Sequence, residues 1–319
     1  MTEPTWQPSA TPDTLRRRAR LLADIRAFFA GRDVLEADVP ALSAAAAQEP
    51  QLDSLACGDV GWLHTSPEFG LKRLLAAGIG PVYQLSHVFR AGETGRWHNP
   101  EFSMLEWYRP GWGYPAVLAE TEALLVELGA PPLARVGFDE VFTRLTGLDW
   151  RRAGADELQQ RAARAGLVPE SEPAGLDDAR RFEFWLDALV GLVLGPDLGQ
   201  SAPCAVCDWP PSLAGLTQIG PGAQPVAERF EIYWQGVELA NGGTELTDAA
   251  TLRERFDRDA ATRRALGKPC PPVDRALPAA MDAGLPDCAG VALGVDRLLA
   301  LLLGFDSLAP ALPFAADRA

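Results

Sequence analysis

An α+β fold, with strands paired in hairpins and helices packed on them, is what this chain predicts, and three stretches carry that reading. Residues 89–108, FRAGETGRWHNPEFSMLEWY, read as a strand, a glycine-bearing loop and a returning strand. Residues 228–247, ERFEIYWQGVELANGGTELT, read as a second hairpin that turns at Gln235-Gly236. Residues 290–304, GVALGVDRLLALLLG, read as a glycine-rich strand that passes through Asp296-Arg297 into an apolar helix. With 319 residues, 47% of them apolar, the length allows one large domain or two, and a sizeable core can form.

The other elements follow in order. Residues 1–10 are an irregular lead-in. Thr11-Pro12 offers an N-cap and a proline at the first helical position. Leu15, Ala19, Leu22, Ile25 and Phe29 then share one helix face, and Gly31 is the stop. Residues 34–39 read as a short strand ended by Pro40, and residues 44–61 carry little pattern. Residues 63–70, LHTSPEFG, run from a strand end through the polar turn Ser66-Pro67-Glu68 into a helix over 68–77. Gly78 and Gly80 end that helix, and residues 81–88 alternate as a strand leading into the first hairpin. Helices are expected over 115–128, with Gly129 at the end, and over 138–145. Residues 151–180 look like charged, alanine-rich surface helices, 182–194 is apolar at helical spacing, and 251–266 is a charged surface helix. The extended stretch 202–209 carries Cys204-x-x-Cys207. Residues three apart on a strand face opposite ways, so buried thiols are expected there rather than zinc, which needs convergent sulfurs and two further ligands.

A formal net charge of −14 argues against a surface that grips nucleic acid through many phosphates. The longest apolar run, 298–303, is too short to cross a bilayer, and no signal-peptide pattern is visible. Five cysteines, an odd number in a long chain, fit reduced thiols. A cytoplasmic protein is expected. Glu231, Glu238 and Glu245 fall across the second hairpin and the loop after it; with a turn between them, Glu231 and Glu238 can share a face, although glutamates on a solvated strand would look the same.

Taken together and in this order, the three stretches resemble the motifs of class II aminoacyl-tRNA synthetases, with residues 89–106 as motif 2 and 290–297 as motif 3. The helix and strand ending at Pro40 then look like motif 1, the dimer-forming element. Within that class, HNPEFSMLEWY and GVELANG are similar to the lysyl-tRNA synthetase branch. The catalytic pattern begins almost at once, where those synthetases carry an anticodon-reading OB-fold. The chain therefore resembles the truncated paralogues that attach lysine to translation elongation factor P, from WQPSA to Asp317-Arg318-Ala319. The resemblance implies one catalytic domain over 1–319 with no anticodon-binding domain, a six-stranded antiparallel sheet flanked by helices, a homodimer, and no stable tRNA binding. A minimal lysyl-tRNA synthetase-like enzyme and a non-catalytic regulatory dimer remain open at this point.

The chemistry so implied is attack of an amino-acid carboxylate, already ionised at pH 7, on the α-phosphate of ATP. The site must position the reactants and neutralise phosphate charge. Arg90 is assigned to the α-phosphate, because a guanidinium makes two directed hydrogen bonds, and Arg297 to the γ-phosphate. Ala91, Gly92, Glu93, His98, Asn99, Leu239 and Gly294 border the nucleotide, and Phe102 stacks on the base. Glu231 and Glu238 are the candidate Mg²⁺ ligands, a hard cation that prefers oxygen. For lysine or (R)-β-lysine, Glu106, Tyr108 and Glu245 supply the polar partners a buried ammonium needs, beside Asn241. Ser66, Pro67 and Glu68 hold the substrate's other end, and Ala292, where the synthetases have glycine, reshapes the pocket floor. Two positions depart from the family. Gly92 replaces a glutamate that here comes one place later, as Glu93, and Gly243 replaces a phenylalanine, removing a wall of the lysine pocket. Transfer to an ε-amine of elongation factor P needs a proton acceptor, and no residue is assigned to it from the sequence.

Overall fold

The computed structural model describes residues 6–168 and 172–319; the first half of the expected lead-in, and three positions within the expected surface helices of 151–180, lie outside the described residues. The strands in chain order are β1 (Leu35–Glu36), β2 (Leu42–Ser43), β3 (Ala56–Cys57), β4 (Gly61–Leu63), β5 (Val82–Phe89), β6 (Glu101–Pro110), β7 (Ala134–Gly137), β8 (Cys204–Trp209), β9 (Ala227–Trp234), β10 (Val237–Thr244) and β11 (Cys288–Gly294). Eight of them form one sheet in the order β1-β5-β6-β11-β10-β9-β8-β7, and β2-β4-β3 form a small second sheet. The six inner strands of the large sheet pair antiparallel throughout. The sheet is nevertheless eight-stranded and mixed rather than six-stranded, because β1 joins β5 and β7 joins β8 in parallel at the two edges. β7, four residues long, is too short for alternation to mark it, and the strand expected over 34–39 forms only at its residues 35–36. Beyond it, Val39 donates its N–H to Gln84 Oε1 at 2.9 Å instead of continuing the ladder.

The helices are α1 (Pro12–Ala30), α2 (Glu68–Ala76), α3 (Tyr114–Glu127), α4 (Phe138–Thr146), α5 (Ala155–Arg164), α6 (Asp178–Leu189), α7 (Gly195–Asp197), α8 (Ala249–Ala265), α9 (Ala276–Gly284) and α10 (Val295–Leu302). Thr11 caps α1 as expected, its Oγ1 accepting from Thr14 N at 3.1 Å. The buried stripe is rotated from the expected one: Leu21, Ile25, Phe28 and Phe29 are buried, while Ala19 is exposed. The cause lies in Arg18, on the same side of the helix, whose guanidinium reaches Asp296 and donates to Ser103 Oγ at 2.6 Å. Asp296 also accepts from Ser103 N at 2.8 Å, so it ties α1 and α10 to β6.

Strand alternation divides the sheet's two faces. Leu105, Trp107, Phe230, Ile232, Val291 and Leu293 share one core with residues of α1, α3 and α10. Glu106 and Tyr108, one step out of phase on β6, point to the other face, where α2, α8 and α9 contribute to a separate core. A third core gathers α4, α5 and α6 at the β8 end. Cys204 packs against that core and Cys207 against the first, so the two thiols do face opposite ways, and burial pushes Cys207 up to about 11. The β9–β10 turn has left-handed Gln235 (φ 51°) and Gly236 (φ 77°), the two-residue hairpin turn that fits strand twist. Near the C-terminus, Leu308 N donates to Arg96 O at 2.8 Å and Ala316 N to Asn99 Oδ1 at 2.9 Å, so this late segment clasps the β5–β6 loop.

Candidate active site

The free face of β6, β9, β10 and β11 floors a cavity of about 660 Å³. Nearly every residue expected in the site borders it: Ser66, Pro67, Glu68, Arg90, Glu93, His98, Asn99, Phe102, Glu106, Tyr108, Glu231, Glu238, Leu239, Asn241, Glu245, Ala292, Gly294 and Arg297. Ala91 and Gly92 are the two that do not. Gly92 takes a left-handed φ of 77° and turns the chain, and Ala91 donates its N–H to Asp53 O at 2.6 Å. These two set the backbone, and Glu93, one place later, is the side chain that reaches the cavity wall. Leu239 borders the cavity although its side chain belongs to the core.

One end of the cavity is acidic. Glu106, held rigidly in mid-strand, accepts from Ser66 Oγ at 2.7 Å and from Tyr108 Oη at 2.6 Å. Ser66 Oγ also accepts from Glu68 N at 3.0 Å, which fixes the start of α2. One turn along that helix, Lys72 is 2% exposed and places its ammonium 2.5 Å from Glu68 Oε1 and 2.6 Å from Glu245 Oε2. Lys72 was not singled out in the sequence, although its i,i+4 spacing from Glu68 on a helix was a visible signal. Burial raises the carboxyls of Glu106 and Glu245, and Glu106, which has hydrogen bonds but no cation in contact, is raised further by Glu68. Burial also works against the Lys72 ammonium, but the two carboxylates outweigh it and hold Lys72 cationic. A raised Glu245 and a raised Lys72 point to opposite protonation states for their pair. The short contact, with a second carboxylate at Glu68, favours the ionised one. Gly290 on β11 makes room for this cluster: a Cβ there would overlap the Tyr108 ring and sit 2.7 Å from Glu245 Oε1. At Gly243 the missing wall is filled from elsewhere, since a Cβ would run into the Thr217 side chain and lie 2.5 Å from Glu228 O.

The other end is basic. Arg90, just past β5, lies over the Phe102 ring with Cζ 5.1 Å from its centroid, and its Nη1 is 3.7 Å from Glu93. Its Nε is buried and has no hydrogen-bond partner. Arg297, in the first turn of α10, donates to Glu238 O at 2.8 Å and to Trp97 O at 3.2 Å, which holds its guanidinium between β10 and the β5–β6 loop. His98 is lowered by burial and by nearby Arg297, so it stands neutral at physiological pH. The Asn99 amide is turned to backbone, donating to Glu101 O at 2.6 Å and accepting from Ala316 N. At Gly294 an added Cβ would make only ordinary contact, 3.5 Å from Arg297 Cδ.

A β-bulge between Glu238 and Ala240 brings Glu238 and Asn241 to one face despite their odd separation. Glu238 pairs across the hairpin with Tyr233, and Asn241 with Glu231, so the two candidate metal ligands share the cavity side. They differ in readiness. Glu231 already binds Arg229 through one oxygen and the Tyr233 hydroxyl through the other. Glu238 has no side-chain hydrogen bond or ion pair among the described residues and suits a hard divalent cation carried in with phosphates. Among the described residues, no group of three or more His, Cys, Asp or Glu side chains could hold a metal.

Residues 6–318 match the family model for class II tRNA synthetases (D, K and N). The chain is 43% identical over 325 aligned positions to the elongation factor P--(R)-beta-lysine ligase of Salmonella paratyphi B (strain ATCC BAA-1250 / SPB7), covering 99% of this chain and 98% of that protein. The protein of the same name from Salmonella heidelberg (strain SL476) matches to the same extent.

Proposed function

We propose that this chain, which belongs to the class II tRNA synthetase (D, K and N) family, activates (R)-β-lysine or lysine with ATP as an aminoacyl-adenylate and passes it to a lysine side chain of translation elongation factor P. It is a ligase, and residues 1–319 work as one catalytic domain. The observation that carries the reading is the polarity of the cavity. At one end the Glu68 and Glu245 carboxylates outnumber the single resident ammonium of Lys72, and beside them Glu106, kept protonated by burial, can ionise against a substrate that brings ammonium groups. At the other end Arg90 and Arg297 await phosphates. A lysine-type adenylate carries both charges in that arrangement.

In the first step the substrate carboxylate attacks the α-phosphate in line, and Arg90 and Arg297 neutralise the charge that spreads over the phosphate oxygens. Glu238 would hold Mg²⁺, which offsets triphosphate charge when bound, and Arg229 keeps Glu231 in place behind it. Phe102 borders the place for the base. The chain works as a cytoplasmic homodimer through α1, which sedimentation would test; no helix among the described residues is long and apolar enough to cross a membrane.

Incubation with ATP, each lysine isomer and elongation factor P, followed by intact-mass measurement of the acceptor, tests the reading. A mass increase of one lysyl group on elongation factor P is expected. Label on tRNA with none on elongation factor P would instead indicate a minimal tRNA synthetase, and absence of ATP–pyrophosphate exchange a non-catalytic protein.

A further inference from the structure

The transfer step needs a group to remove a proton from the incoming ammonium, and the cavity has an unclaimed candidate on a wall the sequence left blank. Glu49 lies in the loop between β2 and β3 and borders the cavity. Its Oε2 is buried without a hydrogen-bond partner. The loop around it is held on two sides. From the α8 side, Arg263 donates to Glu49 O at 2.9 Å and Leu52 O at 3.0 Å and pairs with Asp53 at 2.6 Å, while Lys268 donates to Pro50 O at 2.7 Å. From the nucleotide side, Ala91 N bonds Asp53 O at 2.6 Å, which fastens the loop to the residue next to Arg90. Glu49 is therefore fixed relative to the guanidinium that marks the α-phosphate, and hence to the acyl carbon of an adenylate.

We propose that Glu49 is the base that deprotonates the acceptor lysine in the transfer step, an assignment that rests on the function proposed above. Its carboxylate takes one proton from the acceptor's ε-ammonium. The freed lone pair attacks the adenylate carbonyl carbon, the C–N bond forms, the C–O bond to phosphate breaks, and AMP leaves with that electron pair. A second N–H proton passes to water, and a neutral amide remains. The charged groups facing Glu49 suit this role. Burial raises its carboxyl to about 7, Glu68 on α2 and Asp259 on α8 add to the rise, and Arg90 opposes it. A base tuned near neutrality accepts a proton readily while still populated in its ionised form.

The test compares Glu49→Gln and Glu49→Asp with the parent in three assays: ATP–pyrophosphate exchange, single-turnover transfer from the preformed enzyme–adenylate to elongation factor P, and release of the adenylate by hydroxylamine, an amine already neutral at pH 7. In Glu49→Gln, exchange and hydroxylamine release should stay within about threefold of the parent, whereas transfer should slow about 10²-fold. Parent transfer, taken as a ratio to exchange, should rise with pH through about 7. Above that range parent transfer should level off; in Glu49→Gln the levelling should be lost, transfer climbing with pH as the acceptor amine sheds its own proton, and Glu49→Asp should partly restore it. The ratio isolates Glu49, because Glu106, Glu231 and Glu245 act on both steps. Transfer by Glu49→Gln at the parental rate overturns the base. So does a parallel fall in all three assays, which would make Glu49 a substrate-binding or folding residue. A parent that modifies no elongation factor P defeats the functional reading itself, a result separate from either.

Discussion

The acidic end of the cavity is closed on itself, and the basic end is open. Glu106, Ser66, Tyr108, Glu68, Lys72 and Glu245 are joined by hydrogen bonds and ion pairs before any substrate arrives. Arg90, by contrast, is left with an unpartnered Nε, and no side-chain hydrogen bond or ion pair among the described residues holds Glu238. The difference teaches where selectivity and rate come from. A pre-bonded cluster admits only a ligand whose ammonium groups replace or join existing contacts at little cost in reordering. The open guanidinium end acts chiefly on charge that develops during reaction.

The comparison can be broken by making either end resemble the other. Lys72→Met would strand the buried Glu245 carboxylate beside the half-buried Glu68 and should destabilise the fold by about 3–5 kcal/mol at neutral pH, read by urea titration. Adding Glu245→Gln to it should recover part of that loss; no loss at all would show that Lys72 is not the cluster's keystone. Arg90→Ala removes one charge-stabilising donor from the open end. It should slow ATP–pyrophosphate exchange about 10²–10³-fold while leaving stability nearly unchanged, and a modest rate change would move the α-phosphate role elsewhere. Glu245→Gln alone should raise the KM for lysine about tenfold and that for ATP little; equal changes would assign Glu245 to the nucleotide.

The smallest effect concerns pH. Glu49 and Glu106 are raised in the fold, so the folded state holds more protons than the unfolded chain above the ordinary carboxylate range. Stability should therefore fall as pH rises from about 4.5 through about 7, with Tm dropping by about 2–4 °C for each kcal/mol lost. Added lysine should recover more of that Tm at pH 8 than at pH 6, because Glu106, which no cation contacts, ionises between the two. An equal shift at both pH values would detach the acidic end from substrate binding.

The residues legible from sequence were those whose neighbours along the chain set their direction. Glu106 and Tyr108 share a strand face by alternation, and Arg90 and Phe102 belong to one hairpin. What could not be read came from meetings between distant segments. Lys72 looked like an ordinary helix residue until α2 was laid against Glu245. Glu49 stood in a patternless stretch whose shape is set by Arg263 and Lys268, more than two hundred positions away. Thr217 fills the space beside Gly243 from a loop with no motif, and the bulge that turns Glu238 inward leaves no trace in composition. At the sheet's edges, β1 was read as a strand but not its parallel pairing with β5, and β7 escaped because it is too short to show a period.

The late clasp on the β5–β6 loop bears on how the molecule is made. Arg96 bonds Asp306 O and Asn99 meets Ala316, partners separated by 210 and 217 positions in the chain. A ribosome therefore releases the inner hairpin long before the segment that holds its loop. On this topology the nascent chain is expected to keep a protease-sensitive nucleotide loop until residues 306–316 have emerged. Limited digestion of stalled nascent chains of graded length would show whether protection of that loop arrives with this segment or earlier.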